Sequence, residues 1–473
     1  MSPILWSAEE LAAALGEPTR ALSAPVAGVS IDTRTLQPGD LFFAIKGDSA
    51  DGHAYVERAI ATGAPAAVVE RAKAHVFGGL GPLYLVDDTL RALERLGVAA
   101  RRRSSARIAA VTGSVGKTTA KEMLRVVLAK AGPTHAAAAS YNNHWGVPLS
   151  LARLPASAAF GVFEIGMNHP GEIEPLAVMA RPHAALVTTI APVHIEYLGS
   201  IEAIAEAKAE IFTGLMSDGA AILHRDAPQF ELLARRARAV GARVATFGSA
   251  EGADARLIHV EDRGAGSLID ARIRGREVRI RLGAPGRHMA ENALGVLLAT
   301  AALGVDIDAG AAALKDFFPG KGRGERVTLR SADGPFTLID ESYNANPASM
   351  RAALDLLGAT KPGAGGRRIA ALGDMLELGS EGASMHVALA GALTRARVDL
   401  LFCAGPLMRD LFEAAPPAMR GAWAAKAADV EGPLLKALHG GDVVMVKGSN
   451  GSRMGPIVAA LKSNFAGDAR AAV

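Results

Sequence analysis

Eight residues, Thr112-Gly113-Ser114-Val115-Gly116-Lys117-Thr118-Thr119, stand between an apolar strand and an amphipathic helix in the run IAAVTGSVGKTTAKEMLRVVLAKAG. A loop in this position can turn successive backbone N–H groups toward phosphate oxygens. The helix N-terminus adds partial positive charge, and the glycines admit close approach. Lys117 would then reach the β- and γ-phosphates and Thr118 would offer its hydroxyl to Mg²⁺. The general pattern has glycine five residues before Gly116, where this chain has Val111, so the match is to a shortened variant. The competing reading is a glycine-rich turn in an ordinary βα unit, and strand, GKT and helix together argue against it. A carboxylate, Glu164, ends the apolar run GVFEIG, where it can either face the loop and ligate Mg²⁺ or face solvent.

These groups need rigid support, and the chain is long enough to supply it. At 473 residues it exceeds one ordinary core, and 50% apolar with 21% charged residues is a globular composition. We expect an α/β protein of three domains, 1–104, 105–320 and 321–473. In the first, VSIDTR, DLFFAI and AAVVE read as strands, with a helix from Tyr55 to Thr62 between them. In the second, strand, glycine loop and helix are followed by the apolar runs GVFEIG, AALVTTI, AAILH and RVATF, the rhythm of a helix-covered parallel sheet. Alternation between Leu257 and Leu282 predicts antiparallel strands before the helix opened by GRHMAEN. The third repeats an α/β rhythm through FTLID, RRIAALG, VDLLFCAG and DVVMVKGS.

Composition also excludes. Cys403, the single cysteine, rules out an internal disulfide and a thiolate metal site, and reads as a core thiol. A balance of 51 basic against 48 acidic residues does not call for nucleic acid. Even the most apolar stretch, Met289 to Val305, carries Glu291 and Asn292, so no membrane insertion is expected. The N-terminus lacks a basic-then-apolar leader; Ser7 with Glu10 reads as a capping box, and a cytoplasmic monomer is expected. Arg101, Arg102, Arg103 and Arg107 read as a solvated linker.

GKTT alone fits many ATPases and GTPases. With YNNHWGVPLSL, FEIGMNHPGEI, APVHIEYLGS, EAKAEIF, GRHMAENAL and DESYNANP in this order, the chain resembles the Mur ligases. YNANP, GDMLELG and VKGSNGSRM, with GDLFFAIKGDSADGHAYVERA upstream, are similar to the branch that adds D-alanyl-D-alanine, rather than to siblings adding one amino acid or to folylpolyglutamate synthetases. The resemblance spans nearly the whole chain. It implies an N-terminal domain holding a uridine nucleotide, a central P-loop ATPase domain, and a C-terminal dinucleotide-fold-like domain that closes on ATP and brings the amine. The implied substrates are ATP, with Mg²⁺, a UDP-N-acetylmuramoyl-tripeptide and D-alanyl-D-alanine. A nucleotide-dependent switch is the alternative from another class; the downstream motifs oppose it.

Residue by residue, the resemblance makes His194 a ligand of a second Mg²⁺ and Lys208 a carbamylated lysine whose carbamate also binds it. Unmodified, Lys208 would be an ordinary surface residue. Asn142 and Asn143 would meet the sugar and carboxylate end of the muramoyl substrate. His288 and Asn292 would lie near adenine, with a helix-capping role competing for His288. Arg323, beyond a hinge, would swing toward the γ-phosphate. The ribose contact is open between Asp340 and Glu341, because the family has aspartate where this chain has Glu341. Tyr343, Asn344, Asn346 and Pro347 would shape the ATP and amine region, and Lys447, Gly448 and Ser449 would lie near the dipeptide carboxylate. Thr33, Arg34, Lys46, Gly47, Asp51, Gly52 and His53 would hold the uridine nucleotide and peptide; only Arg34 and Lys46 have a charge rationale.

Lys117→Ala is expected to abolish turnover while leaving the far-ultraviolet circular dichroism unchanged, because the ammonium matters most as charge shifts in the transition state. Near-normal turnover in that variant would remove the loop assignment.

Overall fold

Alternating burial marks strands that are wet on one face, whereas unbroken apolar runs mark strands covered on both. The computed structural model follows this division; it describes residues 4–47, 50–137, 140–193, 195–264 and 266–465 and the backbone of 467–468. Among these residues the chain forms three sheets. The first is parallel, β1 (Gly28–Ser30), β2 (Asp40–Phe43), β3 (Ala67–Glu70) and β4 (Leu83–Val86), in that order. The expected helix after DGH is a 3₁₀ turn, Gly52–Tyr55, running into the helix Val56–Ala61.

The second sheet holds β5 (Arg107–Thr112), β6 (Thr134–Ala136), β7 (Phe160–Glu164), β8 (Ala184–Val187), β9 (Ala220–His224), β10 (Arg243–Gly248), β11 (Ala255–Asp262), β12 (Ser267–Ile273) and β13 (Arg276–Leu282). Its spatial order is 13-12-11-10-9-8-5-7-6. All pairs from β6 to β11 are parallel; β11 to β13 are antiparallel, as their alternation predicts. The helix Arg287–Ala302 is apolar nearly all round because it is buried between this sheet and the helix Lys117–Ala131.

The third sheet comprises β14 (Glu325–Ser331), β15 (Gly334–Glu341), β16 (Arg368–Gly373), β17 (Leu400–Ala404), β18 (Arg420–Ala424), β19 (Val443–Lys447) and β20 (Gly467–Asp468), in the order 18-17-16-19-15-14-20. β19 inserts between β16 and β15, pairing Glu341 with Lys447 across the parallel ladder. Cys403 is buried in β17, and Ser7 and Glu10 form the expected capping box. No helix among the described residues is long and apolar enough to cross a membrane.

The arginine cluster departs from its reading as a solvated linker. The helix Thr89–Arg103 packs on the helix Gly146–Ala152, and its last turn is a staple between the first two sheets' layers. Arg101 is buried and donates to Ala180 O at 2.8 Å, Arg181 O at 3.1 Å and Ser104 O at 3.2 Å, closing the C-terminus of the helix Ile173–Ala180. Arg103 lies 3.5 Å over the Trp6 ring, pairs with Glu10 at 2.9 Å and donates to Leu5 O at 2.7 Å. Arg107 donates to Ala302 O at 3.1 Å. Only Arg102 of the four is exposed. Charge content suggested solvent; three helix and chain ends needing donors decided otherwise.

Arg101→Ala should therefore lower unfolding stability by about 2 kcal/mol, since it strands buried carbonyls, while Arg102→Ala should change it by less than about 0.5 kcal/mol. Urea titration of both variants checks the contrast.

Candidate active site

The loop between β5 and the helix Lys117–Ala131 is held open by two glycines whose backbone is left-handed, Gly113 at φ 143° and Gly116 at φ 87°. A Cβ at Gly113 would stand 2.0 Å from Thr188 Oγ1, and one at Gly116 2.8 Å from Asn292 Nδ2, so neither tolerates a side chain. The segment after β8 braces the loop from outside. Thr188 Oγ1 donates to Val115 O at 2.6 Å, and Ser114 N donates to Thr189 O at 2.6 Å.

Lys117 Nζ folds back and donates to Gly113 O at 2.7 Å. Burial depresses its amine below the usual lysine range; Glu164 opposes this and the Arg323 charge adds to it. Beside it, Thr118 Oγ1 donates to Glu164 Oε2 at 2.7 Å and lies 3.1 Å from Ser140 Oγ. Asn142 Nδ2 donates to Glu164 Oε1 at 2.8 Å. Glu164, 2% exposed, is thus held by neutral donors, with no salt-bridge partner among the described residues. A buried carboxylate beside a threonine hydroxyl is an oxygen donor set suited to Mg²⁺, and a divalent cation would balance its charge.

Arg323 reaches this cluster from the other side. Its Nη2 donates to Ser140 Oγ at 3.3 Å, and its guanidinium stacks 3.8 Å over the Tyr343 ring. The turn carrying it is pinned by Asp340: Oδ2 accepts Gly322 N at 2.9 Å, Oδ1 accepts Ser342 Oγ at 2.6 Å, and Asp340 O accepts Gly324 N at 2.8 Å. Asp340 is buried and occupied. Glu341 faces the cavity instead, 3.3 Å from Lys447 Nζ, which also donates to Asn344 O at 2.9 Å.

These groups line one cavity of about 550 Å³. It takes in Ser114 to Thr119, Asn142, Asn143, Glu164, His288, Asn292, Arg323, Glu341, Tyr343, Asn344, Asn346 and Lys447. Thr112 and Gly113 sit behind the loop. The helix bearing His288 starts at Gly286 without a side-chain cap, and burial pushes the His288 imidazole pKa down. Asn346 caps the helix Pro347–Ala359, accepting Ser349 N at 2.9 Å, and Asn143 accepts Gly146 N at 3.0 Å. Ser449 lies behind the wall, bridging Leu376 N at 3.0 Å and Ala345 O at 3.2 Å, and Gly448 packs on Ser452.

Lys208 is no surface lysine. In the helix Ile201–Ala209 it is 1% exposed, and its side chain makes no hydrogen bond or ion pair among the described residues. Burial, then the charge of Lys117, hold its amine well below the usual range, with Glu210 opposing. The Glu210 carboxylate accepts Gly171 N at 2.7 Å and Ile173 N at 3.1 Å. His194 lies outside the described residues.

None of the seven first-domain candidates lines this cavity. Thr33 is half-buried, while Lys46, Gly47 and Arg34 are exposed, Arg34 pairing with Asp32 at 2.7 Å. His53 is buried; its Nε2 accepts Glu70 N at 3.0 Å, so Nδ1 donates to Asp51 at 2.6 Å. Burial would raise the Asp51 carboxyl, but hydrogen bonds from Lys73 and His53 hold it well below the usual carboxylate range. Both His53 nitrogens are therefore spent, one on Asp51 and one on the end of β3, and the Gly52 backbone presses on Ile45.

The sequence reading passed over Ser140, Thr189, His224 and Glu291, all at the cavity. His224 carried a usable signal, since it ends the apolar run AAILH as Glu164 ends GVFEIG.

Three family models match along the chain: "Mur ligase family, catalytic domain" over residues 25–126, "Mur ligase middle domain" over 111–300, and "Mur ligase, glutamate ligase domain" over 322–450. The UDP-N-acetylmuramoyl-tripeptide–D-alanyl-D-alanine ligase of Bacillus subtilis (strain 168) is 33% identical over 434 residues, covering 91% of this chain and 92% of that protein. The ligase of the same name from Escherichia coli (strain K12) is 35% identical over 441 residues, covering 92% and 94%. Crystallographic MurF from Acinetobacter baumannii superposes with a TM-score of 0.85 at 28% identity, covering 98% of this chain and all of that one. With the glycine loop, the buried carboxylate and the arginine from the third sheet's layer meeting in one cavity, this chain belongs to the Mur ligase family.

Proposed function

We propose that the chain is an ATP-dependent ligase that joins the terminal carboxylate of UDP-N-acetylmuramoyl-tripeptide to the amine of D-alanyl-D-alanine in peptidoglycan precursor synthesis. The observation that carries this reading is the convergence of Lys117, Thr118–Glu164 and Arg323 from two separate sheets, with relatives of that name matching over nine-tenths of the chain. We place the domain limits at 104 and 320, on either side of the second sheet, and the enzyme as a monomer in the cytoplasm.

ATP would lie with its phosphates on the Gly113–Lys117 loop and its ribose toward Glu341, which faces the cavity where Asp340 does not. The acid's carboxylate oxygen attacks the γ-phosphorus in line, the bond to the bridging oxygen breaks, and ADP leaves. Lys117 released from Gly113 O and Arg323 held on Tyr343 neutralise the transferring group. Mg²⁺, held by Thr118 and Glu164, would supply charge neutralisation on the phosphate oxygens. The dipeptide amine then attacks the acyl phosphate carbonyl carbon, inorganic phosphate departs with the acyl C–O bond, and the amine's proton is lost. Arg323 already spans to Ser140 at 3.3 Å, and tightening of that contact over bound ATP would help keep water from the intermediate.

Lys208 fits carbamylation because the reaction needs a neutral amine: its nitrogen adds to CO₂, a proton leaves, and a carboxylate replaces a cation. Its burial without a partner and its depressed pKa both favour that form, and the carbamate would give oxygen ligands to a second Mg²⁺ beside His194.

Incubation with the UDP-muramoyl-tripeptide, ATP and D-alanyl-D-alanine should yield, by mass spectrometry, an adduct heavier by one dipeptide residue, with ADP and phosphate. Phosphate release should require both acid and amine; AMP in place of ADP would mean adenylate chemistry and would sink the mechanism.

Lys208→Ala should lose most activity and recover part of it with short carboxylic acids. A ¹³C carbamate resonance from labelled CO₂ should be present in wild type and absent in the variant, and no such resonance in active enzyme would refute the modification.

A further inference from the structure

The antiparallel end of the second sheet lines no part of the cavity. There β11 and β12 form a hairpin whose strands end at Asp262 and restart at Ser267. Asp262 Oδ1 accepts Gly264 N at 3.0 Å, and Gly264 is left-handed at φ 77°, so the turn is braced from within. Its remaining acceptors meet the third sheet's layer. Gly264 O accepts Arg326 Nη1, and Asp262 Oδ2 lies 3.8 Å from Arg326 Nη2.

Arg326 is the second residue of β14 and follows Arg323 closely in the run RGER. Its side chain is 13% exposed, and its Nε is shielded from solvent without a partner. Nη2 also donates to Thr360 Oγ1 at 3.0 Å, and that hydroxyl donates to Leu356 O at 2.7 Å at the end of the helix Pro347–Ala359. A Cβ at Gly286 would lie 3.7 Å from Leu356 Cδ1, so the two layers touch beside this contact. One guanidinium therefore joins the hairpin, β14 and a helix of the third layer. Desolvation offsets much of the attraction such a cation gains, so what the contact fixes is the register of the parts it joins. The chain just before β14 leaves that register open, because Gly322 and Gly324 are left-handed at φ 73° and 97°.

We infer that Arg326 is a positioning residue: by clasping the β11–β12 hairpin it fixes the angle at which the third layer meets the second, and so holds Arg323 at the site of phosphoryl transfer. Asp340 pins the turn of Arg323 to β15, so Arg323 moves with the third layer. Its Nη2 lies 3.3 Å from Ser140 Oγ, near the limit of a hydrogen bond, and a small rotation at the root of β14 would break that contact. The hairpin is then a strut that carries a fixed turn beyond the parallel strands to the start of β14. The catalytic consequence rests on the ligase reading above, whereas the clasp itself does not.

Spin labels on the full chain read the angle: Ala239→Cys and Asp410→Cys are exposed positions, one in each layer, and the buried Cys403 stays unlabelled. Double electron–electron resonance should give one narrow distance distribution with Arg326 in place and a broadened or shifted one in Arg326→Leu. Arg326→Lys, which can reach Gly264 O but cannot also hold Thr360, should restore part of it. Asp262→Ala, which removes the brace of the turn from the other side, should broaden it as well. In the ligase assay Arg326→Leu should lower kcat about tenfold with KM for ATP unchanged, because Arg323 acts on the transferring charge. It should add little to the loss caused by Arg323→Ala. Melting identifies any variant that misfolds, and Asp262→Ala then decides. An unchanged distribution in the folded variants, an equally broad one with Arg326 in place, or a loss confined to KM overturns the inference. Labels that respond to Arg326 in a chain that forms no product would leave the clasp standing and remove the ligase reading.

Discussion

Glu164 is a carboxylate almost wholly removed from water, and the active region is assembled around the need to keep it satisfied. Thr118 and Asn142 each supply one hydrogen bond, and through them the helix after the phosphate loop and the segment before Gly146 are drawn to the end of β7. Ser140 extends the chain of contacts to Arg323, so a group from the third sheet's layer is coupled to a carboxylate in the second. Hydrogen bonds from neutral groups stabilise a buried charge only in part, which is why such a cluster is poised for a cation and a polyanion.

The same economy of charge runs through the turn that carries Arg323. Asp340 uses both carboxylate oxygens and its carbonyl to hold Gly322, Ser342 and Gly324. The turn is therefore stiff where it carries Arg323, and the stacking of the guanidinium on Tyr343 removes a further degree of freedom. Preorganised cations of this kind need little reorganisation as phosphoryl charge develops. Lys117 and Lys208 are close enough for the charge of Lys117 to depress the amine of Lys208; two ammonium groups in a low-dielectric wall would repel, and a neutral Lys208 avoids this.

Geometry at the carboxyl edge of the second sheet divides labour by strand. β5 feeds the glycine loop, β7 ends in Glu164, β8 continues into the braces at Thr188 and Thr189, and β9 ends in His224. The groups at the cavity are thereby spread along one row of strand ends, at a spacing set by backbone hydrogen bonding rather than by any loop.

Local chemistry made much of this legible in advance. A glycine loop between strand and helix, a carboxylate at a strand end, a capping box and alternating strands are specified by residues a few positions apart, so their types and order suffice. Pairings between distant residues were not legible. Whether Asp340 or Glu341 faces the cavity depends on which carboxylate meets Gly322 N, and Lys447 is 106 positions from the Glu341 it contacts. Lys208 looks like any helical surface lysine until helix packing buries it, and Arg101 looks solvated until the carbonyls of Ala180 and Arg181 arrive from 79 and 80 residues away. His53, read as a ligand group, has both nitrogens claimed once β3 brings Glu70 alongside. The sequence by itself determined the elements and the glycine loop between strand and helix, because those follow from neighbouring residues; burial and partner choice were decided only by tertiary structure, because they depend on which distant groups share the same low-dielectric space.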